Sequence, residues 1–190
     1  MSHDAHAHDN NDSIVKIAMN LAITCFISGV IIAGTYAITE PAAAEQRVKA
    51  KNDAMKALVM DAESFKAIDG QEGWYAALKG GKVIAYVVPA SSKGYGGTIE
   101  MLAAVTTDGK AMDYKVLKHN ETPGLGDKMV EPKFRKQFAN KVPADMEVVK
   151  VPTDKNIQAL TGATITSRAV TKGIKEAVEA VAAYSASQKK

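Results

Sequence analysis

Residues 73–119 read GWYAALKGGKVIAYVVPASSKGYGGTIEMLAAVTTDGKAMDYKVLKH, and this stretch decides the fold. WYAAL and KVIAYVV flank Lys79-Gly80-Gly81, a two-strand pattern around a turn signal. TIEMLAAVTT and KAMDYKVLKH flank Asp108-Gly109, a second one. Gly94-Tyr95-Gly96-Gly97 forms a glycine-rich bend between the two hairpins. Consecutive hairpins predict an antiparallel sheet.

C-terminal to the sheet, NETPGLGD is a compact connection, and the pattern over roughly 127–140 predicts an amphipathic helix. A short strand near Glu147–Lys150 follows. The last helix, about 166–184, puts Val170, Ile174, Ala177, Val178 and Val181 on one face. The fold class is therefore α+β, a sheet packed by helices. N-terminal to the sheet, residues 42–60 are rich in Ala, Lys, Glu and Met and predict a helix ending near Asp61. Thr39-Glu40-Pro41 reads as the boundary before it.

Further out, Ile17–Ile38 is free of charged residues. As a helix it would cover about 33 Å, the thickness of a hydrocarbon core. A cleaved signal peptide with Ala42-Ala43-Ala44 as its site is the alternative. The apolar run is longer than the usual signal core, and the leader before it carries three Asp and no cation ahead of Lys16, so a retained single span is favoured. Asn20, Thr24 and Ser28 share one helix face, and Gly29, Ala33 and Ala37 repeat with the same spacing, a pattern that suits docking against other membrane helices. The chain thus divides into a flexible leader (1–16), a transmembrane helix (17–38), a helical connector (39–72), a domain at 73–184 and a loose tail (185–190).

Composition narrows the function classes. The chain has 190 residues, 24 Lys and Arg against 21 Asp and Glu, and a formal charge of +3. That balance is too mild to suggest nucleic acid as a partner. The single cysteine, Cys25, lies in the apolar run and excludes a disulfide framework or a Cys-rich metal site. His3, His6 and His8 sit in the leader and read as a solvated tail rather than a metal site. His119 is the only other histidine and supports no catalytic triad by itself. No dinucleotide fingerprint, P-loop or HExxH is present.

Two stretches carry chemistry. Thr161-Gly162-Ala163-Thr164-Ile165-Thr166-Ser167 places four hydroxyls at the start of the last helix. A helix start offers unpaired amides and the positive dipole end, so it can hold a phosphate. Plain N-capping accounts for the same residues, and on physics alone it is the favoured reading. Glu121-Thr122-Pro123-Gly124-Leu125-Gly126 is a rigid, bare turn able to line a flat ring, or simply a strand-to-helix connection.

Together, GYGGTIEMLAAVTTDGK, HNETPGLGDK and TGATITSRAV resemble, in order and spacing, the FMN-binding domain family of respiratory membrane complexes, over roughly residues 73–178. The short length and single span resemble the G subunits of Rnf complexes within that family. The C subunits of sodium-pumping NADH:quinone reductases are similar but longer. The resemblance implies FMN joined through its phosphate to Thr164, the second hydroxyl residue of the TGAT element. It implies a flavin transferase that takes FMN from FAD, with Asp154 at the position of an acidic residue in the transferase recognition pattern. Thr161 stands where Ser is also common. Gly162, Ala163, Thr166 and Ser167 complete the attachment element. By the same resemblance Glu121, Thr122, Gly124 and Leu125 lie near the ring, and Gly94, Tyr95 and Gly96 shape the pocket. His119 and Lys128 are further candidates, and no residue is assigned a catalytic role.

The implied function is an electron-carrier subunit of a ferredoxin:NAD+ oxidoreductase that translocates Na+ or H+, with the other membrane and redox subunits of the complex as partners. A quinone-reductase C subunit, a stand-alone membrane flavoprotein and a flavin-free assembly subunit are the alternatives. The resemblance puts the soluble domain on the outer side of the cytoplasmic membrane. The cations argue the other way: Lys16 alone precedes the span, whereas Arg47, Lys49 and Lys51 follow it.

Overall fold

The computed structural model describes residues 6–188 and divides them into two units, one up to Lys49 and one from Ala50 onward. The first helix, α1, runs His6–Leu58. It starts within the stretch expected to be a leader and passes through Pro41, where a boundary was expected. Pro41 lacks only its own amide, so a single rung of the helix ladder is lost, and good helix formers flank it on its C-terminal side. His3 lies outside the described residues. Among the described residues α1 is the one helix long and apolar enough to cross a membrane.

The second unit is built on a five-stranded antiparallel meander: β1 (Ser64–Ala67), β2 (Tyr75–Lys79), β3 (Lys82–Lys93), β4 (Thr98–Thr106) and β5 (Ala111–Lys118), in that order across the sheet. The two predicted hairpins are β2–β3 and β4–β5. Strand β3 continues past the expected end at Val88, through Pro89 to Lys93. Pro89 is tolerated because β2 pairs with β3 only as far as Val87, so the edge beyond it needs no donor on that side. Strand β1 had no clear alternation to announce it. Its pattern is almost wholly exposed.

Both faces of the sheet are covered. On one face the last turns of α1 set Ala54, Met55 and Leu58 against Ala77, Ala85, Val87, Leu102 and Ala104. Four alanines in that set let helix and sheet approach closely. On the other face α3 (Thr164–Gln188) packs Val170, Ile174, Val178 and Val181 against Val88, Met101, Ala103 and Val105. Helix α3 continues through Gln188, into the stretch expected to be a tail.

The helix expected over 127–140 is broken. Residues Gly126–Val130 form a 3-10 turn, α2 covers only Pro132–Arg135, and a second 3-10 turn covers Lys136–Phe138. Pro132 is the cause. It pushes Glu131 into an extended conformation (φ −68°, ψ 143°) and cannot donate to the preceding turn. The segment still buries Met129, Phe134 and Phe138, and Arg135 pairs with Asp113 of β5. The short strand near 147–150 is β6 (Val148–Val149), which pairs in parallel with β7 (Ile157–Gln158).

Candidate functional site

Helix α3 begins without a side-chain cap. Its first backbone bond runs from Ser167 N to the carbonyl of Ala163 at 3.0 Å, which makes alanine the capping residue. The amides of Thr164, Ile165 and Thr166 therefore precede the ladder and have no partner within it. Ahead of the helix, Ala163 N donates to the Leu160 carbonyl at 3.0 Å, closing a turn in which Gly162 has φ +78°. That turn requires glycine. Ser167, fully buried, ties the turn to the helix: its Oγ accepts from Leu160 N and donates to the Ala163 carbonyl, each at 2.9 Å.

The hydroxyls at this helix start therefore have separate tasks. Ser167 is used up in the turn, and Thr166 donates to Glu121 Oε2. Thr161 is exposed and lines a neighbouring depression together with Lys128 and Phe134. Thr164 lies half-buried on the main cleft, and among the described residues its hydroxyl has no hydrogen-bond partner. N-capping, which the residues alone favour for this cluster, is not what the hydroxyls do, because Ala163 holds the capping position and Thr166 and Ser167 bond elsewhere.

The facing wall comes from the connection after β5. The Thr122 carbonyl accepts from Leu125 N and Gly126 N at 3.2 and 3.1 Å, and Gly124 sits at φ +76°. This tight turn pushes Leu125 outward to 43% exposure. Glu121, only 5% exposed, accepts from Gly96 N at 2.9 Å and so joins the bend after β3 to the same wall. The cleft between these walls is open, about 580 Å³, and lined by Tyr95, Glu121, Thr122, Leu125, Gly126 and residues 162–166.

Of the residues singled out in the sequence, Tyr95, Glu121, Thr122, Leu125, Gly162, Ala163, Thr164 and Thr166 meet on this cleft. Gly94, Gly96 and Ser167 stand behind it, Gly124 shapes the turn, and Thr161 faces away. Lys128 belongs to the neighbouring depression, and His119 accepts from Glu121 N at 3.2 Å. Asp154 lies elsewhere, where its carbonyl accepts from Lys141. Gly126 and Ile165 line the cleft although the sequence pattern assigns neither a role there. Gly126 was legible as the second glycine of PGLG. Ile165, 55% exposed, is the apolar member of a helix turn whose next two residues point inward.

The cleft presents both polar groups and exposed apolar side chains. Uncapped amides and the dipole of a 25-residue helix favour an anionic group beside Thr164. Tyr95, Leu125 and Ile165 offer exposed apolar surface to a flat ring. The absent side chain at Gly162 keeps the floor clear, since a Cβ there would come within 3.1 Å of Leu125 Cδ2. The residues present thus fit an aromatic cofactor carrying a phosphate.

The FMN-binding domain family matches residues 94–179, a span that contains both walls of the cleft. The G subunit of the proton-translocating ferredoxin:NAD+ oxidoreductase complex of Clostridium ljungdahlii is 57% identical over 176 residues, covering 92% of this chain and 95% of the relative. The G subunit of the ion-translocating oxidoreductase complex of Methanosarcina acetivorans is 29% identical, covering 92% and 97%. The crystal structure of NqrC from Shewanella oneidensis shares the fold, with a TM-score of 0.54 over 68% of this chain and 74% of that one at 21% identity. An apolar N-terminal helix, a helix-covered meander and a phosphate-ready cleft within the matched span agree with these likenesses, and the chain belongs to the G-subunit family of ion-translocating ferredoxin:NAD+ oxidoreductase complexes, with an FMN-binding domain at its C-terminal side.

Proposed function

We propose that this chain is the membrane-anchored flavin subunit of an Rnf-type complex, that it relays electrons between other subunits, and that its FMN is joined through the phosphate to Thr164. The observation that carries the attachment is the division of labour among the hydroxyls: Thr164 alone in the TGAT–TS cluster is both on the cleft and unengaged. In attachment, the Thr164 O–H bond and the pyrophosphate bond of FAD break, a P–O bond to Thr164 Oγ forms, and the proton leaves with AMP. A flavin transferase supplies the catalysis for that step.

Once bound, FMN supplies one- and two-electron chemistry that no side chain has. The chain's own residues hold and orient it. The amides of Thr164, Ile165 and Thr166 face the phosphodiester charge, Tyr95, Leu125 and Ile165 shield the ring from water, and Gly162 leaves room for close approach. A link through the phosphate leaves the ring electronics to packing and hydrogen bonds.

The test is the mass of the full-length chain purified from a host that contains a flavin transferase. It is expected to exceed the sequence mass by FMN less water, with the increment on the peptide that contains Thr164. An unmodified chain, or a flavin on another residue, would overturn the attachment.

The same reading places the flavin domain on the outer side of the cytoplasmic membrane, where a tether prevents loss of a cofactor that no local pool replaces. Arg47, Lys49 and Lys51 oppose it by the positive-inside rule, though packing of α1 among partner helices is able to set topology. Ser187→Cys in a Cys25→Ala background should react with a membrane-impermeant thiol reagent in intact cells. Reaction only after lysis would put the domain inside.

A further inference from the structure

Among the described residues Glu121 is the one charged side chain on the cleft, and each of its bonds goes to a different segment. Oε1 accepts from Gly96 N of the bend between β3 and β4, Oε2 accepts from Thr166 of α3, and its backbone N–H donates to His119 Nδ1 at the end of β5. The glycines around it are spaced to admit that carboxylate. A Cβ on Gly94 would lie 2.3 Å from Oε1, and one on Gly126 would lie 2.9 Å from Oε2 and 2.9 Å from Thr166 Oγ1. A Cβ on Gly96 would lie 1.8 Å from the Asn120 carbonyl, so the bend is pressed against the residue before Glu121. Two glycines, Gly94 and Gly126, thus clear space for one side chain of the protein, and Gly96 clears space for the backbone that carries it. A buried carboxylate is costly unless its oxygens are bonded, and here both are.

We infer that Glu121 is a positioning residue of the flavin site. Its carboxylate fixes the first turn of α3 through Thr166, which sets how Thr164 meets the cleft, and it fixes the Gly94–Gly97 bend that carries Tyr95 to the cleft wall. The inference rests on attachment at Thr164, and its failure can be told apart from the failure of that reading.

The experiment compares covalent FMN per chain, by intact mass, in the full-length protein and four variants co-expressed with a flavin transferase, with a thermal melt for each. Glu121→Ala removes both bonds and is expected to lower covalent FMN about a hundredfold, the cost of small misplacement at a reacting group, while the melt stays cooperative. Glu121→Gln keeps an acceptor for Gly96 N and a partner for Thr166, and should retain covalent FMN within about twofold, because the geometry that P–O bond formation needs is kept. Thr166→Val should fall with Glu121→Ala, and Thr166→Ser should stay with the wild type. Full FMN in a folded Glu121→Ala or Thr166→Val variant would overturn the inference. So would loss in a folded Glu121→Gln variant as deep as in Glu121→Ala, since the charge and not the position would then matter. If Glu121→Ala does not fold, the Thr166 pair decides. A wild-type chain without covalent FMN would overturn the attachment itself, whatever the variants do.

Discussion

In the apolar part of α1, Thr24 donates to the carbonyl of Asn20, Ser28 to that of Thr24, Thr35 to that of Ile31 and Thr39 to that of Thr35, each at 2.8 Å. At the start of α3, Thr166 reaches a carboxylate 45 residues away, Ser167 both accepts and donates to fold a turn, and Thr164 is left open on a cleft. The residue types are the same. The first set closes each hydroxyl on its own helix, which is what a segment crossing a bilayer would require. The second set connects segments or, at Thr164, faces the cleft. Spacing does not separate the two cases, because Thr171 of α3 also bonds back to the Ser167 carbonyl. What separates them is whether another element lies within reach of the hydroxyl.

The sharpest test of this contrast is Thr164→Val. It keeps the shape and removes the hydroxyl, so covalent flavin should disappear from the mass spectrum while the melt of the domain is nearly unchanged. Thr161→Val, which changes a hydroxyl facing away from the cleft, should leave attachment intact. A flavin still covalently bound in Thr164→Val would break the comparison at its centre.

Tyr114 is an intermediate case, a fully buried hydroxyl that donates to the Met129 carbonyl on the segment after Gly126. Tyr114→Phe leaves that carbonyl without its partner and should cost about 1–2 kcal/mol in a denaturant melt. Burial pushes the Tyr114 phenol up from its usual value. The unfolded chain therefore releases this proton first, and the contribution is complete below about pH 10 and lost as the pH rises above it. The Phe variant should lack that part of the alkaline dependence. An identical alkaline limb in both proteins would show that the phenol does not report on folding.

The smallest effects belong to α1. Thr24→Val and Ser28→Ala remove only bonds within one helix turn, so membrane insertion and subunit content of the complex should be unchanged. Asn20→Leu removes an amide for which the described residues provide no partner, and should lower the amount of copurifying subunits. Equal losses in all three would mean that the hydroxyls also face partner helices.

Much of the architecture was legible because it depends on short-range rules. The strand-like runs flanking the turns at Gly80-Gly81 and Asp108-Gly109 announced β2 to β5, and the 3.6-residue period announced α3 with its buried face. The misreadings were also local conflicts. Pro132 inside an apolar period breaks a helix that the period alone supports, while Pro41 inside good helix formers does not. Which proline wins depends on what its neighbours pack against, as Phe134 and Phe138 pack into the core after the break.

The site divides in the same way. By itself the sequence determined that a TGAT element opens a helix, that a bare PGLG turn precedes it, and that a charge-free stretch long enough to cross a membrane lies near the N-terminus, since each is written in contiguous residues. Only the tertiary structure decided which hydroxyl faces the cleft, that Ala163 rather than a hydroxyl residue caps α3, and that the glycines at 94 and 126 make room for Glu121. The hydroxyl left on the cleft and the room made for Glu121 depend on contacts between segments separated by 25 and 45 residues, and neither spacing nor propensity encodes where a side chain on one segment ends up relative to another.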